Sequence, residues 1–115
     1  MAKKWTNENL PGVLHFVTGN VQDRKRIFLD PANCLLFLEE LQRLRTEDNC
    51  KVISFVLMPD HFHIIANPRG GDIQTAMGNL KARTAKAIVA SSMIGTFEKN
   101  GVNQVWQESF KALPL

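Results

Sequence analysis

A chain of 115 residues with 44% hydrophobic residues and a net charge of +3 has the length of one ordinary domain and enough apolar material for one modest core. Its patterned apolar blocks exclude a disordered chain. No apolar run approaches the roughly 20 residues that cross a bilayer, and MAKKWTNENL lacks the apolar stretch of a secretory signal, so a cytoplasmic protein is expected, with no membrane partner. The two cysteines, Cys34 and Cys50, have no metal-ligand spacing and read as reduced thiols. Residues 1–68 carry eight basic and eight acidic residues and are neutral. Residues 69–115 carry six and three and supply the whole excess, which permits a polyanionic partner without demanding one.

Residues 1–11 read as a loose lead-in to a single domain spanning 1–115. Gly12 to Thr18 has strand composition, and Asn20 to Arg26 is a polar, basic loop. Asp30 followed by Pro31 is a strong helix start. Cys34, Leu38, Leu41 and Leu44 then recur at helical spacing, with Leu35 and Phe37 beside them, and the helix should end near Asn49. Lys51 to Leu57 reads as a strand, Met58-Pro59-Asp60 as a turn and His61 to Asn67 as the antiparallel return strand. Asp72 caps a second helix whose apolar stripe is Ile73, Met77, Leu80, Thr84 and Ile88. Gly95 to Asn103 reads as a loop, and Val105 to Ala112 as a last strand. The order β-α-β-β-α-β predicts an α+β fold of ferredoxin-like, split type: an antiparallel sheet with two helices on one face. That fold hosts many functions and identifies none.

The chemistry concentrates in Val52 to Ile65, VISFVLMPDHFHII. His61 and His63 stand two apart on a strand, so they share a face, about 6–7 Å apart. Phe62 and Ile64 take the other face. Two imidazoles on the face away from the core have no packing reason to exist, and together they can hold a divalent metal with positions left open for phosphate oxygens. Asp60 and Glu108 are candidate carboxylate supplements, although Asp60 reads first as a turn residue. His15 reads first as a core histidine.

VLMPDHFHIIANP resembles the signature of the HUH single-tyrosine transposases, the group that includes REP-associated tyrosine transposases and related insertion-sequence enzymes. HFVTGNVQDRKRIFLD resembles that family's first strand and basic loop, the helix around Asn79-Leu80-Lys81 its second helix, and GVNQVWQESF its Gly…Trp-Gln…Phe segment. The resemblance spans residues 12–110 with order and spacing kept. It implies that His61 and His63 bind magnesium or manganese, and that the substrate is single-stranded or hairpin DNA, cleaved and rejoined during transposition. It also admits a homodimer.

In that family a tyrosine on a later helix attacks the phosphate, and the same helix supplies a further metal ligand. These 115 residues contain no tyrosine, which reads as a chain cut before that helix and inactive alone, with no catalytic nucleophile to name. Arg24, Lys25 and Arg26, with Lys81 and Arg83, are candidate DNA-backbone contacts, and Trp106 a candidate stacking residue. Each has a plainer reading, as a solvated loop, a polar helix face or a core aromatic. Two other functions stay open: a non-catalytic hairpin-binding remnant of such a transposase, and an unrelated metal-binding ferredoxin-like domain.

Overall fold

A computed structural model of the chain describes residues 9, 11–91, 105–107 and 110–115. The elements run β1 (His15–Asn20), α1 (Pro31–Thr46), β2 (Lys51–Met58), β3 (His61–Asn67), α2 (Ile73–Ser91) and β4 (Lys111–Pro114). The four strands form one sheet in the order β2-β3-β1-β4, and every neighbouring pair is antiparallel. β3 lies between β1 and β2, which is the split β-α-β arrangement expected from the sequence.

Both helices begin where their caps stand. The Asp30 carboxylate accepts the Ala32 N–H at 2.9 Å ahead of Pro31, and the Asp72 carboxylate accepts the Thr75 N–H at 3.1 Å. α1 ends at Thr46, three residues before the expected stop. Asn49, at φ +53°, supplies the left-handed residue that turns the chain into β2. The core-facing stripe of α1 is also rotated from the expected one. Phe37, Leu41 and Leu44 are buried, whereas Leu35 and Leu38 are 61% and 39% exposed. An aromatic cluster sets that rotation: the Phe37 ring lies 5.6 Å from Phe28, 5.3 Å from Phe62 and 6.5 Å from Trp106.

The last strand differs from expectation as well. It covers Lys111–Pro114 rather than 105–112, and Trp106 meets Val21 only as an isolated bridge. The Trp106 ring points into the core and its Nε1 donates to the Lys81 carbonyl at 2.9 Å. A side-chain anchor therefore replaces a strand ladder there. The loop expected at 95–103 lies outside the described residues.

The helix-covered face of the sheet carries Val17, Phe62, Ile64 and Ala66, all fully buried against Phe37, Leu44, Ile73, Met77 and Leu80. On β1, Gly19 pairs directly with Phe62, and a Cβ added there would overlap the Phe62 ring. Gly19→Ala is therefore expected to cost about 1–3 kcal/mol by overpacking. A lower urea midpoint at unchanged slope would show it, and an unchanged midpoint would refute it.

Candidate metal centre

β3 is a central strand, so its alternation fixes both faces. Phe62, Ile64 and Ala66 face the helices, while His61 and His63 emerge half-buried on the uncovered face. Directly opposite them on β1 stand Asn20 and Thr18, and on β2 Met58 and Val56. The pair thus has a polar wall on one side and an apolar wall on the other, Met58 and Val56 being 40% and 50% exposed. The two imidazole centroids are 4.9 Å apart with planes at 80°, and Phe16 stacks on His63 at 5.3 Å.

Each imidazole uses Nδ1 inside the protein. His61 Nδ1 lies 2.7 Å from Asp60 Oδ1, and His63 Nδ1 lies 3.0 Å from Thr18 Oγ1. The second Asp60 oxygen accepts Arg24 Nε–H at 3.0 Å. The loop that carries Arg24 is fastened to the β2–β3 turn by Val21 N–H to Asp60 O at 2.9 Å and Phe28 N–H to Pro59 O at 3.0 Å. Asp23 and Arg24 both adopt positive φ, +57° and +53°, an unfavourable choice for side-chain-bearing residues that this fastening sustains.

The electrostatics follow from these contacts. Hydrogen bonds from His61 and then Arg24 hold the Asp60 carboxyl down at about 2, so it is a carboxylate across the working pH range. Burial, then the neighbouring His61, lowers the His63 pKa and favours its neutral form. Imidazoles engaged at Nδ1 keep Nε2 for a cation, so the residues present fit a divalent metal held by two nitrogens. Among the described residues no group of three or more His, Cys, Asp and Glu side chains is placed to enclose one. A metal held there would take its remaining positions from water or substrate oxygens.

The sequence signature of IS200-like transposases matches residues 13–115. The chain belongs to that family. No curated protein sequence matches. Among solved structures, a REP-associated tyrosine transposase bound to a REP hairpin is similar at TM-score 0.76 and 15% identity, covering 99% of this chain and 62% of the other. A Deinococcus radiodurans protein assigned as a transposase is similar at TM-score 0.71 and 14% identity, covering 97% and 86%. At those identities the likeness is one of fold, and this chain spans less than two thirds of the first relative's length.

The basic and aromatic residues singled out in this IS200-like transposase sequence fall into three settings. Arg24, Lys25 and Arg26 lie in the loop fastened beside His61, with the Arg24 side chain 55% exposed. Arg83 is taken up by Asp48, at 2.9 and 3.4 Å, in the turn at the opposite end of β2 from the histidines. Lys81 and Trp106 are buried, at 7% and 1% exposure. Lys81 Nζ donates to the Gln107 carbonyl at 2.8 Å and sits 5.8 Å from the Phe110 ring centre. Both side chains are turned inward, Trp106 toward the Lys81 carbonyl and Lys81 toward the Gln107 carbonyl, so neither presents an open surface in this fold.

His15 is buried on the helix side, where no metal role is open to it. Glu108 lies outside the described residues. Thr18 escaped the sequence reading. The signal for it was available only after β1 was aligned against β3, since its side-chain alternation with Phe16 and Asn20 puts it opposite His63. Two grooves of about 540–550 Å³ lie along α1 and the β2 edge, away from the histidines.

Lys81 makes stability depend on pH. Burial pushes its ammonium down to about 8. A lysine depressed in the fold binds fewer protons there than when unfolded, so stability rises with pH above about 8. The gain between pH 7 and pH 9 is about 1.4 kcal/mol. Burial, then Asp48, raises the Cys50 thiol to about 11, and its opposing effect begins at about pH 8 and takes back about 0.4 kcal/mol by about pH 9. Urea denaturation at the two pH values should show a net rise in the parent chain and a flat or slightly falling response in Lys81→Met. Equal slopes in both proteins would dismiss Lys81 as the source.

Proposed function

We propose that this chain is the metal-holding portion of a transposase that cleaves and joins single-stranded DNA at hairpin-forming repeats. The observation that carries this reading is the pair of imidazoles on the uncovered sheet face, each anchored at Nδ1 and each leaving Nε2 for an outside partner. Family membership and the fold shared with a transposase that binds a REP hairpin support it.

His61 and His63 would hold magnesium or manganese. When bound, such an ion polarises a phosphodiester and lowers the barrier to its cleavage. The chain's own residues receive the strand. Arg24 stands beside His61 with its Nε engaged by Asp60 and its guanidinium tip toward solvent, where it would meet a phosphate oxygen next to the centre. Lys25 and Arg26 would continue the backbone contact along the same loop. Met58 and Val56 give the apolar wall a surface for sugar or base.

With no tyrosine among its 115 residues, the chain by itself is expected to form no phosphotyrosine link. A second reading keeps the same surface for DNA and has this chain bind the hairpin without cleaving it.

The test uses a DNA hairpin with a single-stranded flank, with and without Mn²⁺. Hairpin binding should weaken as salt rises, with a log–log slope of about −2 to −3 if three phosphates are neutralised. Arg24→Gln combined with Lys25→Gln and Arg26→Gln should flatten that slope. Nicking that requires Mn²⁺ supports the cleavage reading. Salt-dependent binding that Mn²⁺ neither tightens nor turns into nicking supports the binder, whereas tightening by Mn²⁺ keeps the metal-centred reading even without nicking. Absence of hairpin binding sinks both.

A further inference from the structure

Resting on the reading of His61 and His63 as metal ligands, we infer that Asp60 and Thr18 are positioning residues that lock both imidazoles with the proton on Nδ1 and the lone pair on Nε2, and that Arg24 holds Asp60 in place for this task.

The argument begins with what each partner can accept. An ionised carboxylate only accepts hydrogen bonds, so the 2.7 Å contact between Asp60 Oδ1 and His61 Nδ1 requires the proton on Nδ1. A neutral imidazole protonated there has its lone pair on Nε2. Thr18 Oγ1, 3.0 Å from His63 Nδ1, can accept or donate, but only the accepting arrangement leaves His63 Nε2 able to bind a cation. The two ligands are thus oriented by different means: His61 by a charge-assisted bond from its own chain neighbour, His63 by a neutral hydroxyl across the β1–β3 ladder.

The sheet register makes both contacts possible. Thr18 is the direct partner of His63, and Asp60 is the turn residue immediately before His61. The 80° angle between the rings sets the imidazoles edge to face rather than stacked face to face. Phe16, stacked on His63, limits rotation of that ring about its long axis.

Arg24 completes the arrangement. Asp60 is only partly buried, with 22% of its side chain exposed, so the bond to His61 alone would leave its carboxylate free to swing toward water. Arg24 Nε occupies the second oxygen at 3.0 Å, and Arg24 is itself held by a loop bonded twice to the β2–β3 turn. The left-handed backbone at Asp23 and Arg24 is what carries the guanidinium back over that turn. One arginine therefore links the loop proposed to meet DNA with the orientation of a metal ligand.

Two readouts on the full chain test this, and only one of them needs metal. Long-range ¹H–¹⁵N spectra of the metal-free protein report the tautomer of each histidine. The parent chain should show Nδ1–H at His61 and His63. Asp60→Ala should mix the tautomers at His61 alone, and Thr18→Val at His63 alone. Asp60→Asn and Thr18→Ser, which keep an acceptor oxygen, should restore most of the parent pattern and guard against simple misfolding.

Mn²⁺ titration followed by electron paramagnetic resonance is the second readout. Asp60→Ala and Thr18→Val should each weaken Mn²⁺ by about 10-fold or more, and Arg24→Gln by a smaller factor. Parent spectra showing Nε2–H at either histidine, or variants with parent tautomers and parent Mn²⁺ affinity, would overturn the inference. A parent chain with the expected tautomers that binds no Mn²⁺ would instead overturn the metal reading and leave the positioning of the rings standing.

Discussion

Trp106→Ala is expected to remove about 3–5 kcal/mol of folding free energy. Domains of this size hold only about 5–15 kcal/mol in total, so the variant should be largely unfolded in mild urea. The ring is 1% exposed and packs at 5.3–5.9 Å from Phe62 and Phe28. Its removal opens a cavity beneath the sheet and breaks the bond that ties residue 106 to α2. Trp106→Phe keeps most of the volume but strips the donor from the Lys81 carbonyl, a loss of about 1–3 kcal/mol. Circular dichroism through a urea series measures both. The pair also tests a role on DNA. If Trp106 stacked bases, Trp106→Phe would leave the urea midpoint near the parent value while Trp106→Ala lost binding without loss of fold. The buried ring predicts the reverse, with stability falling in both and hairpin affinity kept by whatever fraction remains folded.

The contrast shows where sequence reading reaches its limit. Element order, both helix caps and the β2–β3 hairpin were legible because each rests on local chemistry: a carboxylate ahead of a free N–H, a proline that cannot donate, a strict alternation. The separation of Phe62 and Ile64 from the two histidines was legible for the same reason, since a strand has only two faces. What escaped needed partners distant in sequence. The rotated stripe of α1 depends on Phe37 meeting Phe28, Phe62 and Trp106. Lys81 looked like a solvated helix residue because its second covering segment lies 25 residues away. Thr18 looked like an ordinary strand residue until the β1–β3 register put it against His63. Within the candidate centre, therefore, the residues proposed as ligands could be read from one motif, and those that orient them could not.

The second large effect falls on the histidines themselves. His61→Ala and His63→Ala are each expected to weaken Mn²⁺ binding by about 100-fold, and together to abolish it, because a site with two protein donors has no redundancy. A ligand that binds only the folded chain stabilises it by about 2.7 kcal/mol at 100 times its dissociation constant. Mn²⁺ should therefore raise the thermal midpoint of the parent chain and leave the double variant unmoved. In the absence of metal, His61→Ala should cost only about 0.5–1 kcal/mol, since the ring gives up its bond to Asp60 while Arg24 still holds that carboxylate. His63→Ala should lose somewhat more, about 0.5–1.5 kcal/mol, through its stacking on Phe16. Hairpin binding without metal should survive in both, because the phosphate contacts proposed for Arg24, Lys25 and Arg26 do not pass through the imidazoles. A double variant that still shows the parent's Mn²⁺-induced thermal shift would place the ion elsewhere in the chain and remove the histidines from the reaction. Loss of the shift with hairpin binding retained is the outcome that a metal centre built on one face of the sheet, beside a separate phosphate-binding loop, requires.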